Sequence, residues 1–387
     1  GMRHRWLPAQ LHFETPNPVI PWDDMPVRVQ AQSGPWPSTS RMLAGVNSFG
    51  ISGTNAHVVL EQPPADVRTH KEQKRSGRPF VLPISAHEPT ALRENAAALR
   101  QGLARLDASA ASLDDFVYTA SCRRSPRAQR LSVTGGSRDE LVRALDAYLA
   151  GEPTPETRIG SARPDQLREI VMVFPGQGGQ WLGMGRELLD SEPVFAASIA
   201  RLDTAYAQHV DWSLGLALRG EAGFDWADRL DVLQPVLVAV EIALADLWSS
   251  WGVRPTRVIG QSMGEIAAAH VAGALDLEAV ALLACHRGKI VSQASGSGGM
   301  AVVSLSRDEA ARRLIGRESI LEIAGINSPS TTIVSGDRAP LEGWIAQLEA
   351  EGIFARVLDV DFASHCFHMD PLCAPFRDAI ASLRPAE

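Results

Sequence analysis

The 387-residue sequence has only four cysteines, and no two stand at Cys-x-x-Cys spacing. Cys122, Cys285, Cys366 and Cys373 therefore suit neither a disulfide scaffold nor a cysteine zinc site, and read as the reduced thiols of a cytoplasmic protein. No secretory signal is legible. A long apolar run is also missing: the most apolar stretch, residues 236–248, is broken by Glu241 and Asp246, so no membrane span is expected. Positive charge is in deficit, with 37 basic against 45 acidic side chains and a net charge of -8, which argues against a nucleic-acid partner. What remains is ordinary globular composition, 45% apolar and 21% charged, over a length that predicts two or three domains.

Three regions separate along the chain. Residues 45–57 read as a glycine-punctuated loop running into a strand at 57–60, and the turn at residues 62–64 opens a basic linker over 68–78. A small α/β unit follows, with strands expected at 80–85 and 129–133 and helices at 89–106 and 138–149. From residue 170 onward, a strand at 170–174 enters the loop Pro175-Gly-Gln-Gly-Gly179, and a strand at 257–260 enters a turn at Ser262 that opens a helix over 264–275. Strand, turn and helix in that order predict a mostly parallel sheet. After a glycine cluster at 296–299, the order β-α-β-β-α-β predicts an inserted ferredoxin-like unit. Its strands are expected at 300–305, 321–327, 331–334 and 354–358, its helices at 307–315 and 339–351.

Gly260-Gln-Ser-Met-Gly264 lies between an apolar strand and a helix, the setting of a nucleophile elbow. Glycines let the chain turn sharply, Ser262 projects from the tip, and the Met263 N–H faces a developing oxyanion. The plain alternative is a tight βα turn with a serine cap. A hydroxyl needs a base, and His365 and His368, in Phe362-Ala-Ser-His-Cys-Phe-His-Met-Asp370, both qualify. A metal is not expected, since there is no HExxH, no carboxylate at ligand spacing and no Cys pair. Arg287 shares a helix face with Val280, Leu283 and Ile290; a guanidinium on an apolar stripe requires an anion, from the protein or from a substrate. The loop at 176–179 lacks the Gly-Lys-Ser/Thr of a phosphate cradle, and Trp181 spoils a dinucleotide fingerprint; it suits the second half of an oxyanion hole. His270 and Cys285, among apolar neighbours on helices, read as core.

Together, Val173-Phe-Pro-Gly-Gln-Gly-Gly-Gln-Trp181, Gln261-Ser-Met-Gly-Glu265 and Phe362-Ala-Ser-His365 resemble the opening loop, nucleophile motif and histidine motif of the acyltransferase domains of modular type I polyketide synthases, relatives of malonyl-CoA:acyl carrier protein transacylases. Residues 45–61 resemble the end of a ketosynthase domain, and residues 80–149 the ketosynthase-to-acyltransferase linker. The resemblance implies a ketosynthase remnant over 1–62, a linker α/β domain over 63–168 and an acyltransferase domain over 169–387. The last would be an α/β-hydrolase-like parallel-sheet subdomain with a ferredoxin-like insertion at about 298–360, continuing beyond residue 387.

By position, the resemblance makes Ser262 the nucleophile, His365 rather than His368 its base, and the N–H groups of Gln177 and Met263 the oxyanion hole. Arg287 would hold the free carboxylate of a malonyl-type extender, and Asn327, Phe362 and Ser364 would line the substrate cleft. No tightly bound cofactor is implied. The expected partners are an acyl-CoA, the phosphopantetheine of an acyl carrier protein and the ketosynthase of the same polypeptide. Ser364, where malonyl-selective members carry phenylalanine, favours methylmalonyl, with malonyl also accepted. Gln261 in place of histidine, Met263, and Gly288 in place of serine depart from the family pattern. The alternatives are a serine hydrolase with the same elbow chemistry and an inactive truncated fragment with a docking role.

Overall fold

The computed structural model describes residues 1–37, 42–62, 78–106, 110–152, 154–162, 169–220 and 226–386. The chain divides into two compact units, Gly1–Arg75 and Ser76–Glu387.

In the first unit, β1 (Trp6–Leu7) pairs with β2 (Gly34–Pro35), and β3 (Leu43–Phe49) with β4 (Asn55–Glu61), both antiparallel. The second pair corrects the loop expected at 45–57, which is a hairpin. Gly45 hid the strand, yet it is the residue the pairing needs: a Cβ there would lie 3.0 Å from the His57 ring on the facing strand.

The second unit begins with the α/β linker subdomain: β5 (Phe80–Ala86), α1 (Pro89–Ala104), α2 (Ala110–Cys122), β6 (Gln129–Gly135), α3 (Arg138–Ala150) and β7 (Thr157–Ser161). Its sheet has the order β5-β6-β7, all antiparallel. Alternation along β5 buries Phe80, Leu82, Ile84 and Ala86 against Leu92, Leu103, Leu141 and Leu145 of the helices. Sequence periodicity missed α2 and β7; β7, Thr-Arg-Ile-Gly-Ser, is a short edge strand with one buried residue and no alternation to detect.

The large subdomain comprises β8 (Val171–Phe174), α4 (Arg186–Ser191), α5 (Pro193–Tyr206), α6 (Leu214–Arg219), α7 (Leu230–Ser250), β9 (Arg257–Gly260), α8 (Gly264–Val271) and α9 (Leu277–Val291). Helix α7 is buried on nearly every side, the signature of a central helix, and packs with α5, α8 and α9 in one core. β8 and β9 form a parallel pair from Val171↔Arg257 to Phe174↔Gly260. The expected mostly parallel sheet is thus two strands wide among the described residues. Both strands end level, and Gln261 N–H donates to Phe174 O at 2.9 Å, so the loops after them emerge side by side. Helix α8 stops four residues short of the expected end: Gly273, at φ 87°, accepts the left-handed turn, and its N–H caps the His270 carbonyl.

The insertion contains β10 (Gly299–Val303), α10 (Arg307–Arg313), β11 (Leu321–Ser328), β12 (Thr331–Gly336), α11 (Arg338–Ala350) and β13 (Ala355–Val357). Its antiparallel strand order, β11-β12-β10-β13, is ferredoxin-like, with a core of its own around Val303, Leu341 and Trp344. The chain re-enters the large subdomain next to where it left, through Gly296 N–H to Asp361 O at 2.8 Å, and continues through α12 (Asp370–Ala379) to Ala386, whose N–H donates to Ala274 O at 2.9 Å. Among the described residues no helix is long and apolar enough to cross a membrane.

Candidate active site

Ser262 occupies the turn between β9 and α8 at φ 54°, a left-handed conformation that disfavours side chains by roughly 1–2 kcal/mol. The flanking glycines make the turn possible. A Cβ on Gly264 would lie 2.3 Å from the Phe174 carbonyl oxygen and 2.5 Å from that of Pro175; one on Gly260 would lie 2.3 Å from Glu265 Cα. Gly264→Ala is therefore expected to lower stability by about 1–3 kcal/mol, with Ser262 reactivity lost in parallel. Thermal melting checks it; an unchanged melting temperature would contradict the close approach.

Three side chains from distant sequence positions meet at this hydroxyl. Ser262 Oγ lies 2.9 Å from His365 Nε2, and Arg287 Nη2 donates to the same oxygen at 3.1 Å. His365 is also left-handed, at φ 59°; in the second unit, Ser262 and His365 are the non-glycine residues with positive φ among those described. Strain at both reacting groups is held by the surrounding contacts. The residues after His365 are tied to the insertion: Phe367 N–H donates to Glu322 at 2.8 Å, and His368 Nε2 lies 2.8 Å from Asp337 Oδ1. His368, the rival base, is thus engaged elsewhere.

Electrostatics favour a neutral imidazole. Burial pushes the His365 pKa below its ordinary value and the Arg287 cation pushes it further, while Glu265 opposes both. Burial also lowers the pKa of Arg287, with Glu265 again opposing. Among the described residues no carboxylate forms an ion pair with Arg287; its Nη1 donates instead to the Gln234 side-chain oxygen. Of the two anion sources left open by the sequence, a protein carboxylate acts on Arg287 only at longer range, from Glu265.

Other expected site residues are distributed around this centre. The Asn327 side-chain oxygen accepts from Gln261 Nε2 at 3.2 Å, joining the end of β11 to the elbow. Ser364 and His365 line a cavity of about 430 Å³ with Arg287, Glu322, Met369 and Phe376. Phe362 instead belongs to the core of the large subdomain and is 5% exposed. Gly176 of the opening loop approaches the elbow, where a Cβ would touch Gln261 O at 3.4 Å and Ser262 Cβ at 3.5 Å. Neither Gln177 N–H nor Met263 N–H donates a hydrogen bond among the described residues. Cys285 is buried, its thiol pushed up to about 12, and unreactive. His270 Nδ1 lies 2.8 Å from Leu275 O, in the turn that follows its helix. A cavity of about 1130 Å³ lies in the linker subdomain and is lined by none of these residues. Sequence reasoning missed Gln234, whose signal was a lone amide at the head of an apolar helix, and Glu322 and Asp337, which carried none.

Comparison with known proteins agrees with this geometry. Residues 171–387 match the acyl transferase domain family, and residues 16–127 the ketoacyl-synthetase C-terminal extension. The chain belongs to the acyltransferase domains of modular polyketide synthases. It is 43% identical over 367 residues to the erythronolide synthase EryA2 of Saccharopolyspora erythraea, covering 94% of this chain and 10% of that synthase. The solved acyltransferase domain from module 8 of the salinomycin polyketide synthase is similar at TM-score 0.73 and 37% identity, over 79% of this chain and 72% of its own. The acyl transferase domain of SpnD, solved in complex with 2-(pent-4-yn-1-yl)malonyl, matches at TM-score 0.69 and 28% identity, over 80% of this chain and 71% of its own. This acyltransferase chain therefore spans a small fraction of the curated synthases it matches.

Proposed function

We propose that the chain transfers a carboxylated extender unit, methylmalonyl in preference to malonyl, from acyl-CoA to the phosphopantetheine thiol of an acyl carrier protein through an acyl-serine intermediate. The observation that carries this reading is the half-buried Arg287 guanidinium, with no carboxylate at ion-pair distance among the described residues and one hydrogen bond from Ser262 Oγ.

His365 Nε2 takes the Ser262 proton as Oγ attacks the thioester carbonyl. The N–H groups of Gln177 and Met263, without another acceptor among the described residues, stabilise the tetrahedral oxyanion. His365 returns the proton to the CoA thiolate, which leaves. The carrier's thiol then gives its proton to His365, attacks the acyl-serine ester and restores Oγ–H, so the kinetics are ping-pong. Throughout, Arg287 holds the far carboxylate of the extender, which excludes simple esters that lack one. Beside the reacting carbon, the small Ser364 leaves room for an α-methyl group. One methyl is worth only about 1–3 kcal/mol, so malonyl is also taken. The 2-substituted malonyl bound to the SpnD domain is a ligand of this kind. Residues 1–62, 63–168 and 169–387 serve as ketosynthase remnant, linker and transferase, with the ketosynthase of the same polypeptide as neighbour; the free cysteines suit a reducing cytoplasm.

Intact-mass spectrometry after mixing with methylmalonyl-CoA tests the reading. A single adduct that passes to an acyl carrier protein, and is lost in Ser262→Ala, is the expected result. Rapid release to water without transfer would instead mark a hydrolase, and no adduct at all an inactive fragment.

A further inference from the structure

His365 is held in a conformation that its own backbone opposes. A left-handed residue with a side chain persists only where its surroundings impose the turn, and the two residues at 367 and 368 are held by carboxylates of the insertion. Phe367 N–H donates to Glu322 Oε2 at 2.8 Å, and His368 Nε2 lies 2.8 Å from Asp337 Oδ1. Glu322 comes from β11, and Asp337 from the position just before α11. Strand pairing brings the two together, since Glu322 stands opposite Ser335 of β12, two residues before Asp337. Gly336 makes the corner between them: it sits at φ 152°, and a Cβ there would lie 2.1 Å from Ile320 O. Burial first, and then the charges of both carboxylates, raise the Cys366 thiol pKa, so both act on the residue directly after His365.

Asp337 forgoes a local bond to make this contact. It is the N-cap of α11, a position where an aspartate side chain ordinarily accepts from the first turn of its own helix, yet it makes no such bond. The same chain uses that device elsewhere: Ser306 caps α10 through Glu309 N–H, and Asp276 caps α9 through Ala279 N–H. At α11 the carboxylate is turned to His368 instead. Glu322 is out of character in its own way. Glutamate is depleted in strands, and this one is part-buried in β11, where it lines the cavity that His365 also lines.

We infer that Glu322 and Asp337 are positioning residues, a two-point clamp by which the insertion keeps His365 left-handed with Nε2 at Ser262 Oγ. The inference rests on the reading of His365 as the base. The clamp acts through geometry rather than charge: the His365 pKa is moved by burial, Arg287 and Glu265, and neither carboxylate is among its causes. Releasing the clamp should misplace the imidazole and leave the pH at which it becomes neutral where it was.

The test uses the full chain carrying Glu322→Ala, Glu322→Gln or Asp337→Ser, with single-turnover acylation by methylmalonyl-CoA and acetyl-CoA followed by intact mass across pH. Glu322→Ala is expected to lower the maximal rate about tenfold or more with both thioesters, with the half-saturating concentration and the pH inflection kept. Glu322→Gln still offers Phe367 N–H an acceptor and is expected to recover most of that rate. Asp337→Ser separates the clamp from the scaffold. Its hydroxyl suits the unused cap of α11 but is too short for His368, so the melting temperature is expected to hold while acylation slows by a similar factor. This variant remains informative if the alanine variant misfolds. Wild-type rates in both Glu322→Ala and Asp337→Ser, or losses that follow the melting temperature and are not recovered by glutamine, would overturn the clamp while leaving His365 the base. A His365→Gln chain that acylates at the wild-type rate would overturn the reading of the base itself, and the clamp with it.

Discussion

Replacing Arg287 with alanine is expected to slow acylation by methylmalonyl-CoA about 10²-fold or more, and acylation by acetyl-CoA far less. The asymmetry follows from what is lost. A carboxylated substrate would enter the cleft with its charge unpaired, and truncating one member of a charged pair that binding desolvates typically removes about 2–5 kcal/mol of binding. Acetyl-CoA has no such charge to strand. The same substitution carries a second, independent signature. Arg287 is one of the groups that push the His365 pKa down, so its removal should move that pKa up. Because His365 must be neutral to accept the Ser262 proton, the acylation rate of the wild type should rise with pH and level off with an inflection below the ordinary histidine value of about 6.5. In Arg287→Ala the inflection should move to higher pH, since both the repelling cation and part of the burial are gone. Single-turnover acylation against pH, with both thioesters, measures the two effects together. Equal losses on both substrates with an unmoved inflection would remove Arg287 from both roles.

His365→Gln is expected to lower acylation of Ser262 by about 10²–10⁴-fold with every thioester, whether or not it carries a carboxylate. Here the loss is one of proton transfer: the Oγ–H has no acceptor when the 2.9 Å contact to Nε2 is removed. The residual rate should no longer show the histidine inflection. His368→Gln provides the contrast, because His368 faces Asp337 and not Ser262. If the two variants lost activity equally, the assignment of the base to His365 would fail.

Much of this centre was legible before any coordinates, and for a physical reason. A nucleophile elbow demands glycine where backbone crowds backbone, and a Cβ on Gly260 or Gly264 would meet a Cα or carbonyl oxygen atom at 2.3 Å. Such requirements are local, and local requirements leave local marks. The ferredoxin-like unit was legible on the same terms, since its alternating strands and amphipathic helices each carry their own period. By contrast, the β3–β4 hairpin was obscured because the glycine that reads as a loop marker is there to make room for the His57 ring across the pair. The contacts that orient the reacting groups were the least legible. Gln234, Glu322 and Asp337 act on residues 53, 45 and 31 positions away. Nothing in their own neighbourhoods declares it. Arg287 lay between these cases: its apolar helix face announced a need for an anion, and only the assembled site shows that no carboxylate among the described residues pairs with it directly.

The ferredoxin-like unit departs from the large subdomain and returns to it at nearly one point, where Gly296 N–H meets Asp361 O at 2.8 Å and a Cβ on Gly298 would collide with Ala363. Nucleophile and base flank that junction, one encoded before the insertion and one after it, whereas Asn327 and Glu322 arrive inside it. Exchanging the insertion between these two seams, which are neighbours in space, would therefore replace a wall of the cleft and leave the reacting pair in place provided that the partners of residues 367 and 368 at Glu322 and Asp337 are kept. An assembly-line lineage could diversify its building blocks by that route faster than by one codon at a time.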